Sequence, residues 1–379
     1  MKKFKTVLSL FDGISGTQVA LERNGITYDN YYASEIDKYP ITITQKNYPN
    51  TIQLGSVTDW REWDIDWSSV DLVCGGFPCQ SWSVAGLGLG DKDVRGMLFW
   101  TMLDVIKLVL EKNPNAKFLM ENVRMKKEFE DYITFHTEQA LGKVNKHLIN
   151  SALVSAQNRK RFYWTNIDGI EQPQDLGLVL SDILMDGHVD RDKSYCIDAS
   201  YYKGGNPKSY FGKSRRQLVF NRPCELKDFD SEAECHHVAT ATDINGHDSL
   251  KRVYAATGKS PTLNTMTGGN REPKVLIVPE ATKKGYTEIQ DGDCFDATFP
   301  TSKTRRGRNM KYKSNCLTAT NYEYMRYEHP TYRKLTPCEC EALQTFPIGY
   351  TEGVSNSQRY RSLGNSFTVD VVAHIFKYL

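Results

Sequence analysis

Through about residue 167 the chain alternates short apolar runs with longer amphipathic ones, and that alternation admits few architectures. TVLSLF leads into GTQVALERNG, YYASE and DLVCGGF follow, and the helical GMLFWTMLDVIKLVLEK precedes KFLMENV. This is a βαβ series, so the reading is an α/β fold built on a doubly wound sheet. In such sheets ligands bind beyond the carboxyl ends of the strands. The loops FDGISG, ASE, GGFPCQ and MENV fall there, which places four candidate functional loops on one edge.

From about residue 170 to 350 the character changes to Gly, Asn, Ser, Tyr and Lys/Arg, without a long amphipathic helix until LTPCECEALQTF. This predicts a separate, smaller, loop-rich domain over 173–355, with 1–172 and 356–379 forming the first. KSYCIDA at 193, KSPTLNT at 259 and KSNCLTA at 313 share a Lys-Ser start and an aliphatic residue three positions after the Ser, too little for a solenoid. RYRSLGNSFTVDVVAHIFKYL predicts an amphipathic helix that packs Val369, Val372, Ala373 and Phe376 against the first domain.

With 379 residues and 40% hydrophobic content a sizeable core is available, while the net charge of +2 announces no polyanion partner for the chain as a whole. Any nucleic-acid surface is local. No apolar run approaches the ~20 residues of a membrane span, and MKKFKTVLSLFDG breaks at Asp12 and Gly13, so the opening reads as a strand and no membrane partner is expected. Nine cysteines without CxxC pairing argue against a disulfide framework and for a reducing cytosol. Cys235, His236 and His237 read as structural or incidental, so no metal is expected.

The loop from Phe11 to Gly16 sits between strand and helix, where glycines let the backbone approach a cofactor. Glu35 ends the next strand, at the spacing where an acid grips ribose hydroxyls in either a nicotinamide or an adenosylmethionine site. In GGFPCQSWSVAG, Pro78 restrains Phe77 and fixes the loop presenting Cys79. A lone cysteine is more often a small buried hydrophobe. Here Glu121 and Asn122 end a later strand and Arg159 and Arg161 open another, so a thiol, a carboxyl and guanidinium groups converge as a covalent-catalysis constellation.

With these motifs in this order, the chain resembles the C5-cytosine DNA methyltransferases from end to end. FDGISG resembles the cofactor loop, GGFPCQS the nucleophile loop, DVRGMLF the segment after it, MENV the acid strand and QNRKR the arginine strand. RKLTPCECEALQTFP and YRSLGNSFTV resemble the last two motifs. The resemblance implies a Rossmann-like S-adenosylmethionine-dependent catalytic domain with a target-recognition domain. It makes Cys79 the nucleophile at C6 of a flipped-out cytosine, Glu121 the group at N3, Arg161 the contact to O2, and Arg159 an orderer of the loop or of a phosphate.

For the donor, the resemblance implies that Phe11 stacks on adenine, Gly13 and Gly16 admit the amino-acid part, Glu35 takes the ribose, and Pro78, Leu98 and Asn365 line the remaining wall. Two positions depart from the family: the middle glycine of FxGxG is Ser15, and the acid after the third strand is Ser56, with Asp59 nearby. The glycine-rich segment from Ser81 to Arg95 reads as a loop that closes over the flipped base. Lys203, Lys208, Lys213, Arg215 and Arg216, and Lys303, Arg305, Arg306, Arg308, Lys311 and Lys313, are candidate phosphate contacts.

The implied partner is double-stranded DNA, with a separately acting restriction endonuclease as a further candidate, for a monomer in the bacterial cytoplasm or a phage-infected cell. A nicotinamide oxidoreductase accounts for FDGISG and Glu35 but leaves PCQ, ENV, QNRKR and GNS without a purpose. A protein of this fold that only binds DNA, and an RNA methyltransferase, stay open on the sequence.

Overall fold

The computed structural model describes residues 2–78, 97–225, 229, 237–241, 245, 247–254, 274–289, 292–296, 309–311, 324–326 and 331–379. They form two compact units, one of Met1–Val219 with Arg333–Leu379 and one of Phe220–Tyr332.

In the first unit, strands β1 (Lys3–Leu10), β2 (Thr27–Ser34), β3 (Ile52–Gln53), β4 (Val70–Gly75), β5 (Lys117–Val123), β6 (Asn145–Asn150) and β7 (Lys160–Thr165) form one sheet in the order β3-β2-β1-β4-β5-β7-β6. Neighbours from β3 to β5 are parallel, while β7 runs antiparallel to both β5 and β6. The connection 151–159 is too short for a crossover, so β7 must return beside β6 in the opposite sense. The winding reverses between β1 and β4, which opens a crevice at their carboxyl ends.

Both faces of the sheet are covered. Along β4, Leu72 and Cys74 enter one core with Val7 of β1, whereas Val73 enters the other with Leu8 and Leu10. Strands buried on both sides need apolar residues at successive positions, which is why VLSL and LVC read as continuous runs. Helices α1 (Gly16–Arg23), α2 (Lys38–Asn47), α3 (Met97–Lys112), α4 (Lys127–Leu141) and α5 (Pro207–Lys213) belong to this unit. So do α7 (Pro337–Leu343), α8 (Asn356–Asn365) and α9 (Val369–Phe376), whereas α6 (Asp248–Lys251) belongs to the second.

The carboxyl-terminal segment is two helices broken at 366–368, not one. Besides the predicted face, α9 buries Val371 and Ile375, because it packs on α1: Asn24 Nδ2 donates to the Ala373 carbonyl at 2.9 Å and Arg23 pairs with Asp370.

The unit boundaries lie at 219/220 and 332/333, so 173–219 and 333–355 pack with the sheet. The chain is held there by particular bonds. Lys193 donates to the carbonyls of Ala152, Ser155 and Leu178, and Ser194 exchanges backbone bonds with Ala156 and Asn158. KSYCIDA therefore lines the QNRKR strand, while the other two recurrences lie outside the described residues. The chain passes between units at β8 (Leu218–Phe220) and β17 (Tyr332–Lys334).

The described strands within the second unit are short. β9 (His237–Thr240), β10 (Arg252–Tyr254) and β11 (Lys274–Val275) form one sheet, and β12 (Ile277–Pro279) and β13 (Tyr286–Glu288) a second. β14 (Asp293–Asp296), β15 (Met310–Lys311) and β16 (Tyr324–Arg326) form a third.

Candidate active site

The loop after β1 alternates left-handed residues, with φ of 54° at Phe11, 60° at Gly13 and 56° at Ser15. Glycine accepts this conformation freely, whereas Phe11 and Ser15 hold it at a cost. Hydrogen bonds offset the cost at Ser15: its hydroxyl donates to Asp12 Oδ2 and accepts from Gln18 Nε2 at 3.1 Å and Thr44 Oγ1 at 3.3 Å. Tyr31 donates to the other Asp12 oxygen at 2.8 Å. Burial pushes the Asp12 carboxyl above its ordinary value and outweighs the lowering by Ser15, Ser9 and Tyr31. A buried polar knot thus fixes the loop where the family pattern has glycine.

Glu35 follows β2 and accepts from Gly13 N at 3.0 Å through Oε2 and from Ile36 N and Asp37 N at 2.8 Å through Oε1. The two sequence-predicted loops are therefore joined. An added Cβ at Gly13 would meet only the Phe11 carbonyl within 4 Å, so space is open there. At Gly16 an added Cβ would stand 2.8 Å from the Phe367 ring and 3.3 Å from Phe346. Its smallness answers to packing within the protein, which leaves the loop's open ground at Gly13.

Ile36 was not singled out from sequence, yet it is 76% exposed beside Glu35. The signal was available as an isolated apolar residue between acids in SEID. Ser56 caps the 3-10 turn Val57–Glu62 by accepting from Thr58 N at 3.2 Å, and Asp59 lies exposed in its first turn. Pro78 and Leu98 are half-buried, the latter in the first turn of α3, and Asn365 is exposed at the end of α8.

Cys79 and the segment from Ser81 to Arg95 lie outside the described residues. Their anchor is described. Asn122 Nδ2 donates to the Phe77 carbonyl at 3.0 Å, and the buried Phe77 ring packs on Phe99 with centroids 5.2 Å apart. The ENV strand thereby holds the chain immediately before the predicted nucleophile.

Glu121 lies opposite Tyr163 in the antiparallel register of β5 and β7, and Arg161 lies opposite Val123. This offset brings Arg161 Nε to 3.0 Å from Glu121 Oε1, with side chains only 13% and 15% exposed. Bare Gly76 makes room for the carboxylate, because a Cβ there would stand 2.9 Å from Glu121 Oε2. Arg161 Nη1 also donates to the Lys160 carbonyl at 2.9 Å.

Arg159 is 2% exposed, and its guanidinium faces backbone. Nη1 donates to the Ile197 carbonyl at 2.9 Å, and Nη2 to the carbonyls of Ser366 at 2.6 Å and Gly364 at 3.1 Å. These bonds fasten GNS to the arginine strand through Arg159. Gly364 lets α8 lie against the backbone of Asp198, since a Cβ there would fall 2.2 Å from the Asp198 carbonyl carbon.

Among the described residues no group of three His, Cys, Asp or Glu is arranged to hold a metal, and no helix is long and apolar enough to cross a membrane. Lys203, Lys208, Lys213 and Arg215 are exposed in the first unit and Lys311 in the second, whereas Arg216 is half-buried and donates to the Gly204 carbonyl. Lys303, Arg305, Arg306, Arg308 and Lys313 lie outside the described residues, as do Cys235 and His236, while His237 begins β9.

A family model for C-5 cytosine-specific DNA methylase matches residues 5–379. The orphan methyltransferase M.SPBetaI of Bacillus phage SPbeta is 28% identical, over 98% of this chain and 97% of that protein. The type II methyltransferase M.NlaX of Neisseria lactamica is 32% identical, over 97% and 94%. Among solved structures, a mutant of Spodoptera frugiperda DNMT2 aligns over 99% of both chains with a TM-score of 0.53 at 18% identity. The Entamoeba histolytica methyltransferase EhMeth aligns over 100% of this chain and 98% of its own with a TM-score of 0.52 at 15% identity, and both likenesses bear on the fold.

Proposed function

Because the chain belongs to the C-5 cytosine-specific DNA methylase family and is thus a DNA (cytosine-5)-methyltransferase, we propose that it acts on a cytosine flipped out of a specific duplex sequence, through a covalent bond from Cys79 to C6. The observation that carries the residue assignment is the Glu121–Arg161 pair at the strand end beside the chain leading to Cys79.

In this reading the Cys79 thiolate adds to C6 while Glu121 holds a proton at N3, so electron density collects at C5 and the ring becomes nucleophilic there. Arg161 keeps Glu121 in place and supplies a donor toward O2. Once C5 carries the methyl group, transfer of the C5 proton to a base and expulsion of the Cys79 thiolate from C6 restore the C5–C6 double bond and free the enzyme. A thiol of ordinary pKa ~8.5 is a few per cent thiolate at neutral pH, so addition calls for a cationic group that favours the thiolate.

S-adenosylmethionine, when bound, supplies an electrophilic methyl group. The residues present fit it: Glu35 offers carboxylate lone pairs toward ribose hydroxyls, Gly13 leaves open ground beside Phe11, and Ile36 presents an exposed apolar face. Pro78, Leu98 and Asn365 complete the proposed wall. The second unit is proposed to read the DNA target for a monomeric enzyme of a bacterial or phage-infected cytoplasm, with or without a separate endonuclease.

The test is covalent trapping on duplex DNA carrying 5-fluorocytosine within random flanks. Fluorine replaces the C5 proton, so elimination is blocked. An adduct that requires the methyl donor, survives denaturing electrophoresis and disappears in Cys79→Ala is expected. Methylated cytosine without any adduct overturns the Cys79 assignment, and trapping of single-stranded or transfer RNA alone overturns the duplex substrate.

A further inference from the structure

Two cations project from neighbouring positions of the arginine strand. Arg159 stands immediately before β7 and Arg161 within it, and both guanidinium groups reach the sulfur of Cys196. Each has a partner that orients it: Arg159 faces backbone carbonyls and Arg161 faces Glu121. Like charges this close repel one another, and an uncompensated second guanidinium would turn away toward water.

The neighbouring segment supplies the compensation. Ser194 N donates to the Ala156 carbonyl at 2.7 Å, Asn158 N donates back to the Ser194 carbonyl at 3.0 Å, and Ile197 N donates to Gln157 Oε1 at 2.9 Å. These bonds pin the backbone on both sides of Cys196. Its Sγ lies 3.3 Å from Arg159 Nη1 and 4.0 Å from Arg161 Nη2.

We infer that Cys196 is a positioning residue for the proposed methyl transfer: its sulfur lies between the two guanidinium groups as acceptor for both and keeps Arg161 turned to Glu121. The inference rests on the assignment of Glu121 and Arg161 above. Charge supports the geometry. Cys196 is exposed as a residue, but its sulfur is partly desolvated, which pushes the thiol up; Arg159 and Arg161 outweigh this and leave the thiol below its ordinary value.

Conversely, burial and then Arg161 disfavour the charge on Arg159, which Cys196 and Glu121 favour. Cys74 and Cys340 differ, being core thiols that burial pushes up. Sulfur between two cations gives charge-assisted hydrogen bonds, stronger than neutral ones.

Steady-state methyl transfer by the full chain on duplex DNA tests the inference in Cys196→Ala and Cys196→Ser, with thermal unfolding beside it. Ala removes the acceptor, and kcat should fall about tenfold, the weight of one hydrogen bond to a charged group. KM for DNA and for donor should stay within about twofold, because the loss falls on chemistry. Ser keeps an acceptor and should recover about half of the logarithmic loss.

Parental kcat in Cys196→Ala overturns the inference, as does equal loss in Ala and Ser, which would indicate packing, or a loss confined to KM. A parental protein that transfers no methyl group to duplex cytosine instead overturns the reading on which the inference rests.

Discussion

Gly76→Ala isolates the placement of Glu121 from its chemistry. The added methyl carbon would lie 2.9 Å from Glu121 Oε2 and 3.4 Å from its carbonyl oxygen. The close atom is the end of a flexible side chain, so the carboxylate yields by about half an ångström at a stability cost of about 1 kcal/mol. That movement disturbs the 3.0 Å contact to Arg161 and the proposed approach to N3. A misplacement of this size should lower single-turnover methyl transfer by about 10- to 100-fold, with donor affinity nearly unchanged and the unfolding midpoint lower by about 2 °C. In a Glu121→Ala background the clash has no object. If the effect runs through Glu121, the second substitution should add almost nothing and the coupling energy should equal the whole single-mutant effect. Parental rate in Gly76→Ala, or an undiminished loss in the Glu121→Ala background, would refute the reasoning and point to the chain before Cys79.

Glu35→Ala should weaken binding of the donor or its demethylated product by about tenfold or more in calorimetry, since it removes the ribose acceptor and frees Gly13 N. Arg159→Met should lower stability in urea by about 3 kcal/mol, because carbonyls of Ile197, Gly364 and Ser366 lose their buried donor. Glu339→Gln should cost about 2 kcal/mol at neutral pH. Burial raises the Glu339 carboxyl, but Arg333 and the N–H groups of Met185 and Thr336 outweigh it, so the folded value lies below 4.5. The ionic contribution is therefore full above 4.5 and lost as pH falls through the lower folded value, so parent and variant should converge in acid.

The sheet was legible because buried parallel strands must be apolar at successive positions, as VLSL and LVC are. Glu35 was legible as the acid at a strand end. Register was not, and register decides that Arg161 meets Glu121 whereas Arg159 turns to Gly364. Gly16 and Gly364 show the same limit: both glycines stood out, but the atoms requiring them belong to Phe367 and to the Asp198 backbone. The first unit's extent was hidden because Lys193 and Ser194 are held by ordinary carbonyl and amide groups with no side-chain signature.

Arg23 and Asp370 are partners across 347 positions, and two of the carbonyls that receive Arg159, those of Gly364 and Ser366, also come from beyond the second unit. On the ribosome the strands of the sheet emerge first, yet the acceptors at 364 and 366 emerge only after residues 220–332 are made. At about 5–20 residues per second that interval is roughly ten seconds. Throughout it the arginine strand has its sheet neighbours and its bonds to 194–197, and α1 lacks α9. Until α8 and α9 are made, Arg159 lacks its Gly364 and Ser366 acceptors and α1 lacks Asp370 and the Ala373 carbonyl.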